Sequence, residues 1–353
     1  MPGAAFILYV VPTFNRAHEL PRTLQAIADQ RWPTSQMAIL VIDNSSTDDT
    51  PAVLADIAKR LPCKLEHLRK APEGPTVARN IGLRRGVEGY VALVDSDVEL
   101  DAGWTAATVA ALEADASLAQ VGGKLVFAHD PTILNSYGGE SGWLGLSWDR
   151  AEGHPVDSVT HPTEVLWINT AAVMLRPGPA LALGGFDEFF FYGYEEPDLG
   201  LRLAIAGWRS MVVPEARAIH HTGSEIGVSA PLIVFHYTKN RIRMGIKALG
   251  AGLLPVFLLT NLVYGLLDAI LHRPHAARFR ALIWNVAHIT DSWRLRRLAQ
   301  DARTVPDRRV LRLISWRPFP PRRLKRLRRR PVDGSRIVAT SADDRVSTKR
   351  TVP

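Results

Sequence analysis

Apolar and polar positions along the first 125 residues alternate between two periods. Short β-branched runs at 5–11, 38–42, 64–68, 90–94 and 119–127 read as strands, and segments near 18–30, 48–60, 76–87 and 103–114 read as helices. Strands alternating with helices predict βαβ units on a mostly parallel sheet, since each crossover lays a helix over one face. Thr47, ahead of "DDTPAVLADIAKR", reads as a helix N-cap with acids in the first turn.

The pattern then changes. Residues 129–163 are rich in Gly, Ser, Asp and Trp with no clear period, which predicts a surface excursion. A strand near 164–168, a second at "AAVMLRP", a helix starting near Pro197 and a strand at 210–213 follow. The stretch 249–271 has the length of a bilayer span but contains Pro255, Asn261 and Asp268. Together with "RFRALIWNVAHITDSWRLRRL" it fits either a span or a pair of amphipathic helices at a membrane interface. Residues 331–353 are polar and patternless, as a disordered tail would be. The expected organisation is an α/β domain over 1–245 whose first half, to about 125, reads as a Rossmann-like nucleotide-binding layer, then an apolar and basic helical extension over 246–330, and that tail.

Charge sharpens this division. The net +8 is uneven: residues 291–330 carry 15 Lys and Arg against 3 Asp and Glu, a local +12, and residues 331–353 add +1, so the body carries −5. A basic extension on an acidic body predicts contact with an anionic membrane surface. The run "RRLKRLRRR" lacks the interleaved aromatics of a nucleic-acid reader, so no specific nucleic acid is expected. One cysteine, Cys63, excludes an intramolecular disulfide framework and fits the cytoplasmic face of the cell membrane. The opening residues read as a strand, without a basic leader.

In "YVALVDSDVEL" an apolar strand runs directly into Asp95 and Asp97. Ligands of parallel sheets bind beyond the carboxyl ends of the strands. Two carboxylates at i and i+2 project together if the chain stays extended, and they repel unless a cation or donor lies between them. A hard divalent ion joined to a diphosphate meets that need.

With "VVPTFNR", "VIDNSSTDDT", "GPTVARNIGLRRG" and "GGFDEFFFYGYEEPDLGLRLAIAGW" in order around this "DSD", residues 6–245 resemble glycosyltransferase family 2. The resemblance implies a GT-A fold, a nucleotide-diphosphate sugar donor, a Mn2+ or Mg2+ ion and inverting transfer to a glycan or lipid-linked acceptor in cell-wall or surface polysaccharide synthesis. It implies donor contacts at Pro12, Thr13, Asn15, Asp43, Arg79 and Asp95, and metal ligands at Asp97 and His220, with His221 as the alternative to the latter. Glu196 or Glu195 is the implied catalytic base, Glu196 being favoured. Asp187 and Trp208 are candidates for lining the acceptor side. The "FHYTKNRIRM" stretch resembles the rhamnosyltransferase-like subgroup. A catalytically inactive sugar-nucleotide-binding scaffold at the membrane is the alternative reading.

Overall fold

The computed structural model describes residues 4–222 and 231–321, which fall in one compact unit. The expected tail at 331–353 and the basic run at 322–330 lie outside the described residues. β1 (Ile7–Thr13), β2 (Met37–Asp43), β3 (Lys64–Arg69) and β4 (Tyr90–Val94) run parallel in the order β3-β2-β1-β4. Every residue of β1 and of β4 is buried, as strands covered on both faces must be.

The alternation of side chains sorts the crossover helices. Ile7, Tyr9 and Val11 pack with α1 (Leu20–Ala28) and α2 (Thr50–Ile57) on one face, while Leu8 and Val10 pack with α3 (Pro75–Arg85) on the other. Gly82 lets α3 approach β1 closely, because a Cβ there would lie 2.4 Å from Val10 Cγ2. The cap of α2 differs from expectation. The helix starts at Thr50, and it is Asp48 that accepts from its backbone N–H at 3.1 Å, so Thr47 is not the cap.

Beyond β4 come β5 (Val98–Leu100), α4 (Trp104–Ala114) and β6 (Leu118–Phe127). The excursion at 129–163 is more regular than its composition suggested. It forms β7 (Asp130–Ser136), β8 (Gly139–Gly142), β9 (Ser147–Asp149) and β10 (Thr163–Val165), with β7 on β6 and β8 on β9. After β11 (Ala172–Leu175) come α5 (Pro177–Ala182), α6 (Glu195–Ile205) and β12 (Arg209–His220). The large sheet has ten strands in the order β10-β12-β6-β11-β4-β1-β2-β3, with β5 and β7 paired to β12 and β6. It is mixed, since β11 runs antiparallel to both β4 and β6. β12 reaches far past the expected 210–213 because a register shift between Val213 and Arg217 carries it across Pro214.

The C-terminal part is helical: α7 (Pro231–Ala248), α8 (Leu254–Leu271), α9 (His275–Ala287), α10 (Ile289–Asp301) and α11 (Asp307–Leu311), ending in β13 (Ile314–Ser315) beside β8. Helix α7 runs through position 245 without a break. It joins the rest through buried charge. Asp187 accepts from Arg243 Nε at 2.7 Å and from Lys247 Nζ at 2.6 Å; Lys247 Nζ also lies 2.6 Å from Asp198 Oδ1, and Asp198 Oδ2 lies 2.6 Å from Arg202 Nη2. Burial alone would raise the Asp187 pKa, but the Lys247 and Arg243 charges hold it far below the usual carboxylate range. Asp187 is therefore an internal strut and does not line an acceptor surface, while Trp208 packs partly buried against the core.

Candidate active site

The predicted residues gather along the carboxyl ends of β1, β2 and β4. Thr13 pairs in register with Asp43, and both are buried. Asp43 Oδ1 accepts from the Ser46 backbone N–H at 2.8 Å, a local turn that fixes the carboxylate. Its Oδ2 has no hydrogen bond among the described residues, with His67 Nε2 3.5 Å away; Thr13 Oγ1 and Thr76 Oγ1 are likewise buried without a partner among them. Buried polar atoms in that state are costly unless something else satisfies them. Pro12 is a buried residue of β1. Asn15 is turned to the loop: it adopts φ 53°, and its Oδ1 accepts from the Thr47 backbone N–H at 2.7 Å.

The acidic stretch after β4 does not stay extended. The Val98 N–H donates to the Asp95 carbonyl at 3.2 Å, closing a turn that sends the two aspartates to different partners. Asp95 Oδ1 accepts from Arg79 Nη2 at 3.2 Å. Asp97 Oδ1 lies 3.5 Å from His220 Nε2 at the end of β12. Burial would raise the Asp97 pKa, yet the His220 contact and charge, with Arg16 beyond, bring it down. His220 is shifted up: burial would lower it, but the Asp97 bond and charge prevail.

Arg79, itself buried, is a bridge. While Nη2 holds Asp95, Nη1 donates to Glu195 Oε1 at 3.1 Å, so α3, the turn after β4 and the start of α6 are tied by one guanidinium. Asn80, next along, donates to the Phe186 carbonyl at 2.8 Å and accepts from the Phe186 N–H at 2.8 Å, clamping the loop that leads to α6. Gly193 and Tyr194 then take φ of 73° and 72°, and α6 starts with Glu195 and Glu196 in its first turn, where the helix dipole favours acids.

The two glutamates differ. Glu195 is buried, and burial followed by the charge of Glu196 pushes its carboxyl up to about 7 against the pull of Arg79. Glu196 is half-buried, and its Oε1 accepts from Thr170 Oγ1 at 2.7 Å. Only Glu196 therefore has both accessibility and a side chain fixed by a neutral donor.

His221 diverges from His220. Its ring pairs with Glu99, and its N–H donates to the Asp97 carbonyl at 2.9 Å. Sequence reading missed three participants. Asn135 Oδ1 accepts from His220 Nδ1 at 2.8 Å, Thr170 holds Glu196, and Asp149 on β9 sits close enough to Glu196 and His220 to feel both charges. Burial raises the Asp149 pKa, opposed by bonds from Ser136 and Asn169. Asn135 and Asp149 belong to the aperiodic excursion, where no spacing marked them.

Asp97 and His220 fit a divalent ion. With Nδ1–H given to Asn135, a neutral His220 turns the lone pair of Nε2 toward the Asp97 carboxylate, an arrangement that needs a proton or a cation between them. No group of three or more His, Cys, Asp or Glu side chains converges among the described residues. One carboxylate completed by diphosphate oxygens is a common composition for Mg2+, and the His220 nitrogen would add a further donor.

The model of the family described as Glycosyl transferase family 2 matches residues 9–141. The chain carries a family 2 glycosyltransferase domain. The N-acetylglucosaminyl-diphospho-decaprenol L-rhamnosyltransferase of Mycobacterium tuberculosis is 27% identical over 250 residues, covering 62% of this chain and 76% of that protein. Among solved structures, the mannosyltransferase PcManGT from Pyrobaculum calidifontis, in complex with GDP-Man and Mn2+, shares the fold at a TM-score of 0.52 and 18% identity, over 85% of this chain and 86% of its own. TarS of Staphylococcus aureus in complex with UDP does so at 0.52 and 16%, over 88% and 83%. The architecture of this chain is thus the GT-A fold.

Proposed function

We propose that this family 2 protein transfers a glycosyl group, with inversion, from a nucleoside-diphosphate donor to a hydroxyl of a glycan or lipid-linked acceptor used in cell-wall or surface polysaccharide synthesis. The observation that carries the reading is the Arg79 bridge, which ties the acidic turn after β4 to the first residue of the helix bearing the candidate base. In this reading Thr13 and Asp43 receive the nucleoside, their unpartnered oxygens accepting from its base or ribose. Arg79 orders Asp95 beside the diphosphate. Asp97 and His220 would hold Mn2+ or Mg2+, which supplies charge neutralisation to the leaving diphosphate.

Glu196 takes the proton of the acceptor hydroxyl as its oxygen bonds to the anomeric carbon from the face opposite the diphosphate. The bond to the diphosphate oxygen breaks with its electron pair leaving on the nucleotide, and one displacement inverts the centre. Thr170 keeps the Glu196 carboxylate aimed during this step. The relatives' names, all of transferases, favour this over an inactive scaffold.

The deciding experiment offers the purified chain a panel of nucleotide sugars with Mn2+ or Mg2+ and follows nucleotide release. Release with at least one donor, abolished by a chelator, is expected. Silence across the panel, in a protein that still binds nucleotide, would overturn the reading.

A further inference from the structure

The faces of α8 and α9 are inverted. On α8 the residues turned to the protein include Asn261, Gly265 and Ala269, while Val256, Leu259, Leu262, Val263, Leu266, Leu267 and Ile270 are exposed. On α9 the inward residues are Ala277, Ala281 and Asn285, and Phe279, Ile283 and Val286 point out, the last 75% exposed. The helices pack side by side, with Leu282 of α9 against Gly265 of α8. A helix of a water-exposed surface carries the opposite arrangement, and so large a contiguous apolar patch marks an interaction surface.

Charge identifies the occupant. Residues 254–300 carry six Lys and Arg against two Asp and Glu. Asp268 is sequestered by Arg278 at 2.6 Å, whereas Arg273, Arg280, Arg294 and Arg297 are exposed. The sequence then continues into 322–330, where seven of nine residues are Lys or Arg. A greasy face with a basic surround matches the acyl and anionic headgroup layers of a bilayer.

We infer that the outward faces of α8 and α9 dock on an anionic lipid bilayer, the two helices lying in the plane of the interface and not crossing it. α8 alone among the described helices is long and apolar enough to cross by length and composition. Its inner face rules against crossing. Asn261 Oδ1 accepts from buried Arg241 Nε at 3.0 Å, and α7 brings Arg243 and Lys247 within the same body, so a crossing orientation would carry these charges to hydrocarbon depth. The docked surface adjoins the candidate active site: the Trp284 ring of α9 is 5.7 Å from that of Phe189, in the loop that leads to Glu195. A bilayer-borne acceptor would then arrive beside that loop, a corollary that rests on the transferase reading.

The test is flotation of the full chain with vesicles of phosphatidylcholine, alone or mixed with phosphatidylglycerol. Wild type is expected to float with the anionic vesicles, less so as salt rises, and to be released by alkaline carbonate. The triple variant Leu259→Glu, Leu266→Glu, Ile283→Glu should lose roughly ten-fold or more of its partitioning. Arg273→Ser with Arg280→Ser should lose roughly five-fold for each arginine. Unchanged melting temperature and nucleotide binding certify that each variant is folded. A wild type that stays unbound, a triple variant that floats as well as wild type, or carbonate-resistant protein overturns the inference. So does light scattering showing a dimer that the triple variant dissociates while vesicles leave wild type unbound, for then a second copy covers the face. Flotation needs no donor or acceptor, so failure of the transferase reading leaves this result standing.

Discussion

Arg79 and Glu195, 116 positions apart in sequence, meet in a buried hydrogen-bonded ion pair of 3.1 Å. Removing the arginine leaves Glu195 without its cation and frees Asp95. Arg79→Ala is expected to cost about 3 kcal/mol of stability, and Arg79→Lys less, since an ammonium keeps the charge but not the fork that spans both acids. Thermal unfolding, with calorimetric titration of the nucleotide, measures both; an Arg79→Ala protein as stable as wild type would contradict the bridge.

Glu196 and Asp97 should separate chemistry from binding. Glu196→Gln is expected to keep donor affinity within about two-fold while transfer falls by roughly 100-fold or more. Asp97→Asn and His220→Ala should instead weaken the metal-dependent part of donor binding. Isothermal titration with and without Mn2+, beside initial rates, reads the difference. A Glu196→Gln enzyme retaining most of its rate would move the base to another residue.

Two buried groups set opposing pH dependences. His236 lies between the rings of Phe191 and Phe235, and burial, aided by the Lys239 charge, lowers its pKa from 6.5 to about 3. The unfolded chain takes up that proton first, so stability present above pH 6.5 is lost as pH falls, at about 1.4 kcal/mol per pH unit. Glu195 works the other way: raised from 4.5 to about 7, it keeps a proton in the fold that the unfolded chain has released, so its contribution is present below pH 4.5 and lost as pH rises through 7. Between pH 4.5 and 6.5 the two offset. Melting temperature against pH should therefore fall more steeply toward acid in Glu195→Gln than in wild type, and His236→Phe should remove the acid-side loss. Identical slopes in all three proteins would contradict this.

The Asp187 cluster predicts an order of damage. Asp187→Ala strips buried Arg243 of its carboxylate and leaves Lys247 only Asp198, which Arg202 already pairs, and should cost roughly 3–5 kcal/mol. Lys247→Met leaves Asp187 its Arg243 and Asp198 its Arg202, and should cost clearly less. Denaturant unfolding of the two variants side by side decides it.

Strands β1, β2 and β4 were legible because a strand covered on both faces is a run of apolar residues, as "ILYVVPT" and "YVALV" are. The excursion was not. Its strands are three to seven residues long and turn at Gly138, Gly145 and Gly153, all at positive φ, so no period develops before the chain reverses. That is why Asp149 and Asn135 escaped notice. β12 was cut short for a related reason, its irregularity hiding the run up to His220. The apolar character of α8 was plain, but periodicity would have turned Asn261, Gly265 and Ala269 outward, the reverse of their placement.

Lys247 touches Asp187 and Asp198 from two residues beyond the point where the motif-bearing sequence ends. A fragment stopped at 245 would therefore lose the ammonium that both acids share, and Asp187 would keep only one of its two cations. The shortest fragment of this chain to attempt in the laboratory retains all of α7.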